Sequence, residues 1–200
     1  LDFSLSVFVR MLYSCLVDAD FLDTEAFMKN ENTGRVAGET MQILEEKLEQ
    51  YIEPWLSNTE LESINGRRTE ILAHCMEMGK REKGIYRLTV PTGGGKTIAS
   101  LAFALRHAVK HQMDRIIYVI PYTSIIEQNA QVFREILGAE NVLENHCNVE
   151  YKDSEEFYPM QLASENWDKP VVVTTNVQFF ESLFGNKSSK CRKIHNIANS

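Results

Sequence analysis

The chain has 200 residues, 44% of them hydrophobic, and a formal net charge of −7 at pH 7. That is enough apolar material for one or two packed domains, and the acidic total excludes general electrostatic binding of nucleic acid while leaving room for a local basic groove. The charge is unevenly placed: residues 1–70 carry 6 Lys/Arg against 14 Asp/Glu and residues 71–200 carry 15 against 14, a change that points to two modules.

The chain starts at Leu1 without a methionine and stops at Ser200 inside a polar stretch, so it is expected to be a fragment of a longer protein. Leu5, Phe8, Val9, Leu12 and Leu16 recur at helical spacing and predict a core-facing helix over the first twenty residues. Asp2 and Arg10 interrupt this stretch; it is too short to span a bilayer, lacks a cleavable signal pattern, and no membrane partner is expected. Residues 24–38 are polar, broken twice by glycine, and read as a loop. Met41, Leu44, Leu48, Tyr51 and Ile52 predict a second helix stopped near Pro54. Leu61, Ile64, Ile71, Leu72, Cys75 and Met76 predict more helix, ending around Gly79.

The period then changes. Residues 85–90 read as a strand, and Ile98, Leu101, Ala102, Leu105 and Val109 as the next helix. Residues 116–120 form a continuous apolar run, the mark of a strand buried on both faces. Ile125, Ile126, Val132, Phe133, Ile136 and Leu137 return to helical spacing; Val142-Leu143 suggests a short strand, residues 171–173 a buried one, and residues 177–184 a closing helix. Strands alternating with helices imply an α/β fold with a parallel sheet, preceded by an all-helical segment of about eighty residues. Cys15, Cys75, Cys147 and Cys191 lie far apart without a CxxC pair, which fits a reducing, cytoplasmic setting. Two pairings, His146–Cys147 and Cys191 with His195, offer ligand atoms, but neither belongs to a four-ligand metal set.

The chemistry concentrates in Pro91-Thr92-Gly93-Gly94-Gly95-Lys96-Thr97, between the expected strand ending at Val90 and a helix starting near Lys96. A triphosphate needs several converging donors and a backbone that can approach closely; glycines remove the Cβ atoms that would block it, and a helix N-terminus adds partial positive charge. Thr92, Gly93, Gly94, Gly95, Lys96 and Thr97 are therefore the expected nucleotide-binding residues, with Lys96 reaching the β and γ phosphates and Thr97 coordinating Mg²⁺. One departure exists: Val90 holds the position where the strict pattern asks for its first glycine.

These residues resemble a known family. The loop, the following Ile98-Ala99-Ser100-Leu101-Ala102-Phe103-Ala104-Leu105, and Tyr118-Val119-Ile120-Pro121-Tyr122-Thr123-Ser124-Ile125-Ile126-Glu127-Gln128 look like the helicase–nuclease of type I CRISPR interference systems. So does Val172-Val173-Thr174-Thr175-Asn176-Val177-Gln178-Phe179-Phe180, while Asn65 and Arg68 resemble the family's approach to the phosphate loop, where an adenine-contacting element sits. The resemblance covers residues 60–200 well and 1–25 moderately.

It implies a division into residues 1–57, the last helices of an HD-type nuclease domain with a linker, and residues 58–200, an incomplete RecA-like P-loop helicase lobe binding ATP and Mg²⁺. Arg68 joins the cofactor residues, and the expected catalytic residues are Lys96 and Thr97. Pro121, Thr123, Ser124, Gln128, Thr174 and Thr175 follow strands at the edge where ligands of open α/β sheets gather. Thr123 and Ser124 have a second reading, as caps of the next helix; the resemblance implies contact with single-stranded DNA. Lys187, Lys190, Arg192 and Lys193 read as a solvated basic run, and His74 and His107 as surface or packing histidines. The resemblance also places a nuclease metal ligand at Asp20, with Asp18 as competitor, for a divalent transition metal whose other ligands are not visible here.

The implied whole is an ATP-dependent single-stranded-DNA translocase fused to a nuclease, recruited by a CRISPR RNA-guided surveillance complex. No buried strand ending in Asp-Glu follows Val173, so this fragment is expected to bind ATP without hydrolysing it. Two other readings share Lys96 and Thr97: a P-loop ATPase that remodels protein or RNA, and a nucleotide-sensing module.

Overall fold

The computed structural model describes residues 2–28, 37–57, 62–147, 158–185 and 187–200. Three helices come first, α1 (Phe3–Met28), α2 (Met41–Leu56) and α3 (Ile64–Gly79). After the glycine loop follow α4 (Lys96–His111), β1 (Ile116–Ile120), α5 (Thr123–Leu137), β2 (Val142–Asn145), α6 (Tyr158–Asn166), β3 (Val171–Thr175) and α7 (Asn176–Phe184). Two single-turn helices, α8 (Ser188–Cys191) and α9 (Ile194–Ile197), close the chain. The strands form one parallel sheet in the order β1-β3-β2, with Ile116 and Val142 both opposite Val171.

Placement follows composition. The Val-Val-Val-Thr-Thr run of β3 carries side chains that suit burial on both faces, and it takes the central position with residues 171–174 fully buried. Alternation sends Val171 and Val173 to the face covered by α2, α4 and α5, where Leu44, Ile52, Leu101, Leu105, Ile126 and Phe133 form the main core. Val172 and Leu143 point to the opposite face and pack on Trp167 and Ala163. Ser63 caps α3, its hydroxyl accepting from the Gly66 amide at 3.0 Å, and Thr40 caps α2 in the same manner.

Parallel α/β architecture preceded by helices is what the sequence predicts; the differences are local. Helix α1 does not stop at residue 24 but runs to Met28, the Thr24 hydroxyl bonding back to the Asp20 carbonyl; residues 29–36 of the expected loop, and Leu61 of the third helix, lie outside the described residues. Helix α2 passes through Pro54 to Leu56, because a proline in the last turn removes a single backbone donor. Strand β1 is an edge, only half-buried beyond Ile116. Residues 85–90 form no strand: Ile85 is fully exposed, and among the described residues no backbone hydrogen bond joins them to the sheet. A strand exists only through its ladder, and the sequence of residues 85–90 carries no partner with it.

The largest departure is α1. It is a helix, but its apolar residues do not face a core: Leu5, Phe8, Val9 and Leu12 are about half exposed and Leu16 is 69% exposed. Its buried residues are Ser14 and Asp18. Arg10, Ser14 and Asp18, spaced four apart, form one polar stripe that docks on the chain's end. Arg10 donates to the Leu183 carbonyl at 2.6 Å, Ser14 donates to the Cys191 carbonyl and accepts from the His195 amide, and Asp18 pairs with Arg192 at 2.8 Å. Asn166 donates to the other Asp18 oxygen at 3.1 Å, and the Arg192 guanidinium also reaches Glu165 at 2.7 Å and lies over the Phe21 ring.

The basic run is solvated only in part: Lys187 is exposed and Lys190 half-buried, whereas Arg192 and Lys193 are buried, the first by its carboxylates and the second over the Trp167 ring. Burial pushes the Lys193 ammonium down to about 8, with the nearby Lys190 charge adding to the effect.

Candidate functional site

The loop before α4 closes on itself through a Gly94 amide to Pro91 carbonyl bond of 3.1 Å. Gly95 takes φ of 79° and is the N-cap of α4, a left-handed conformation that a side chain resists. It supplies no side-chain cap, so the first-turn amides of α4 keep their donors for an anion. The departure at Val90 has a structural answer: Val90 fills the space beside Gly94, where a Cβ would clash with its Cγ1. The valine is accommodated because glycine stands opposite.

Lys96 is exposed and, among the described residues, makes no ion pair or hydrogen bond. The Thr97 hydroxyl, half-buried one residue on, donates to Asn129 Oδ1 at 3.0 Å. Arg68 lies across the loop, its Nε donating to the Gly93 carbonyl at 2.8 Å and its Nη1 approaching Asn65 Oδ1 at 3.4 Å. Arg68 thus braces the loop backbone. A cavity of about 560 Å³ opens above these groups, walled on its far side by Pro54, Trp55, Thr69 and Leu72 and floored by the loop and the first turn of α4. The donor set fits a triphosphate: uncapped amides, one ammonium and a hydroxyl, with aromatic and aliphatic side chains in the same cavity. Sequence reasoning missed Trp55 and Asn129. Trp55 ends a helix in another part of the chain, and Asn129 directly follows a recognised segment but gives no local signal.

At the β1 edge, Pro121, Ser124 and Gln128 are exposed and Thr123 is half-buried. The N-cap of α5 is Tyr122, without a side-chain cap bond, so Thr123 and Ser124 do not perform the capping that is their alternative reading. After β3 the outcome reverses. Thr174 is completely buried and donates to the Asn145 carbonyl at 2.7 Å, which leaves that hydroxyl nothing to offer a nucleic acid. Thr175 caps α7, accepting from the Gln178 amide at 3.1 Å. Thr174 is thus engaged within the fold, while Thr175 is half-buried and keeps its hydroxyl proton.

Asp20 is exposed on α1, two residues from the buried Asp18 and therefore on a different face of the helix. Asp18 is buried and pairs with Arg192 and Asn166. Among the described residues one group of ligand-type side chains converges, Glu127, Glu144 and His146, with ligand atoms within 4.8 Å of one another. Glu144 already pairs with Arg134 at 2.7 Å and with His146 at 2.8 Å, an ion-pair network rather than an open ligand set. Cys147 is exposed, Cys191 is buried, and His107 bonds the Gly79 carbonyl at 2.9 Å as a packing residue. No helix of the described residues is long and apolar enough to cross a membrane.

A parallel α/β sheet with a glycine loop opening a helix, and a cavity above it, defines a phosphate-loop domain. The family model described as "Type III restriction enzyme, res subunit" matches residues 41–197, and the chain belongs to that family. It is also similar to the CRISPR-associated nuclease/helicase Cas3 of Haloferax volcanii, 33% identical over 133 residues that cover 55% of this chain and 14% of that protein. The chain thus corresponds to a small part of that relative's length. The family match begins at Met41, the first residue of α2, and leaves α1 outside it.

Proposed function

We propose that this chain is the nucleotide-binding part of an ATP-dependent single-stranded-DNA translocase or helicase, joined to a metal-dependent DNA nuclease and acting in CRISPR antiviral defence with an RNA-guided surveillance complex. The observation that carries the reading is the loop itself: uncapped α4 amides, Lys96 without a partner among the described residues, and Thr97 beside it, under a cavity of about 560 Å³. Lys96 and the α4 amides hold the β and γ phosphates, Thr97 offers its oxygen to Mg²⁺, Arg68 keeps the loop in shape, and the base lies toward Trp55. Bound there, Mg²⁺ would neutralise developing charge on the phosphate oxygens. Pro121, Thr123, Ser124 and Gln128 supply the contacts to the DNA backbone, for which exposed hydroxyl and amide groups at a strand's carboxyl end are suited.

The boundary between units falls between α1 and α2, earlier than residue 57. Met41, Leu44, Leu48 and Ile52 of α2 share the main core with α4 and α5, whereas α1 contributes nothing to it. Helix α1 belongs to the nuclease-type unit, with Asp20 as one metal ligand. The 200 residues then bind ATP without turning it over, a reading supported by the sequence, in which no buried strand ending in Asp-Glu follows Val173.

The test is ATP hydrolysis by the full-length protein with single-stranded DNA, RNA or neither. Stimulation by DNA that disappears in Lys96→Ala is the expected result, and stimulation by RNA alone would identify a remodelling ATPase instead. A hydrolysis rate in the purified 200-residue chain, lost in the same variant, would remove the binding-only assignment.

A further inference from the structure

The Thr97–Asn129 contact joins the first turn of α4, at the end of the loop, to α5. Among the described residues it is the one side-chain hydrogen bond between α4 and α5. Asn129 follows Gln128 on α5; consecutive residues on a helix point about 100° apart, so Gln128 is exposed while Asn129 turns inward, half-buried, to the second residue of α4. One helix therefore presents Ser124 and Gln128 outward and grips the phosphate-loop threonine from within.

A hydroxyl has one proton and two lone pairs. With its proton committed to Asn129 Oδ1, Thr97 Oγ has its lone pairs left for a cation. Withdrawal of electron density by a cation strengthens a hydroxyl as a donor, so a bound metal–triphosphate would tighten the Thr97–Asn129 bond. Without an acceptor at position 129 the hydroxyl rotates freely, and α5 loses its direct polar link to the loop.

We propose that Asn129 is a positioning residue that orients Thr97 toward Mg²⁺ and links occupation of the nucleotide site to the strand-facing edge of α5. The inference rests on the reading above, in which the loop holds Mg²⁺–ATP and α5 meets single-stranded DNA. By reciprocity, a bound oligonucleotide then changes nucleotide affinity by the same factor as nucleotide changes oligonucleotide affinity.

The experiment uses the full-length protein, a fluorescent ATP analogue with and without Mg²⁺, and a labelled oligothymidylate. In the unmodified protein each ligand is expected to shift the other's dissociation constant by roughly fivefold or more. Asn129→Leu, similar in size but without an acceptor, is expected to bring this ratio to one and to weaken the Mg²⁺ dependence of analogue binding. Asn129→Asp keeps an acceptor and is expected to retain both, a rescue that a packing role would not give. Gln131→Ala, an exposed α5 residue that bonds Glu135, serves as the control for helix disturbance. If the leucine variant does not fold, Asn129→Ala reads the same loss. An unchanged ratio in a folded variant without the acceptor overturns the inference alone. Failure of the unmodified protein to bind either ligand overturns it together with the function proposed above.

Discussion

Helices α1 and α2 announce themselves in the sequence by the same rule, apolar residues at helical spacing, yet they use that stripe in opposite ways. Helix α2 buries Met41, Leu44, Leu48 and Ile52 in the main core, while α1 leaves Leu5, Phe8, Leu12 and Leu16 toward solvent and buries Arg10, Ser14 and Asp18 contacts instead. Periodicity reports that a helix has two faces; it does not report which face meets which neighbour. Helix α1 has a second, polar stripe on its other side, and the groups that satisfy it lie more than 140 positions away.

The comparison breaks most visibly at Asp18. Its replacement by alanine leaves Arg192 buried beside a single remaining carboxylate, and loss of one partner of such a pair costs about 3–5 kcal/mol. Asp20→Ala, on the exposed side, is expected to leave stability nearly unchanged in the same denaturant titration. Equal effects would show that the polar stripe is not what docks α1.

Leu48→Ala in α2 is expected to cost about 2–5 kcal/mol, the range for emptying a fully buried leucine site. Leu16→Ala in α1 has the same chemistry, but with the side chain 69% exposed its effect in this chain should stay within about 0.5 kcal/mol. A large loss at Leu16 would mean that a partner covers this face in solution.

Lys193 sharpens the picture at the docking surface. Its pKa is lowered from 10.5 to about 8, so between those values the unfolded chain binds more protons than the folded one and stability rises with pH. The cost of the buried charge is fully present below pH 8. Lys193→Met should therefore show its greatest advantage over the unmodified chain near neutrality, an advantage that shrinks as pH climbs toward 10.5. Melting curves of both proteins across that window measure it, and a constant difference would place Lys193 in contact with water.

What was legible in the sequence is what local pattern determines. Helix α4, strands β1 and β3, and the loop of residues 91–97 each carry their own signal in period or glycine spacing. What was not legible depends on distant partners. Residues 85–90 have the composition of a strand but, among the described residues, no neighbour to pair with; Thr174 looks available until β3 takes the centre of the sheet and its hydroxyl meets Asn145; Arg192 and Lys193 look solvated until Asp18 and Trp167 come to meet them. Asn129 carries no signal apart from its position on α5, and only the fold brings it to Thr97.

The central claim is that the glycine loop and the first turn of α4 hold a nucleoside triphosphate. Titration of the 200-residue chain with a fluorescent ATP analogue in Mg²⁺ tests it most directly. Saturable binding that is competed by unlabelled ATP and lost in Lys96→Ala, with an unchanged melting temperature in that variant, is the predicted result. Absence of saturable binding by the folded chain, or binding that Lys96→Ala leaves intact, would contradict it.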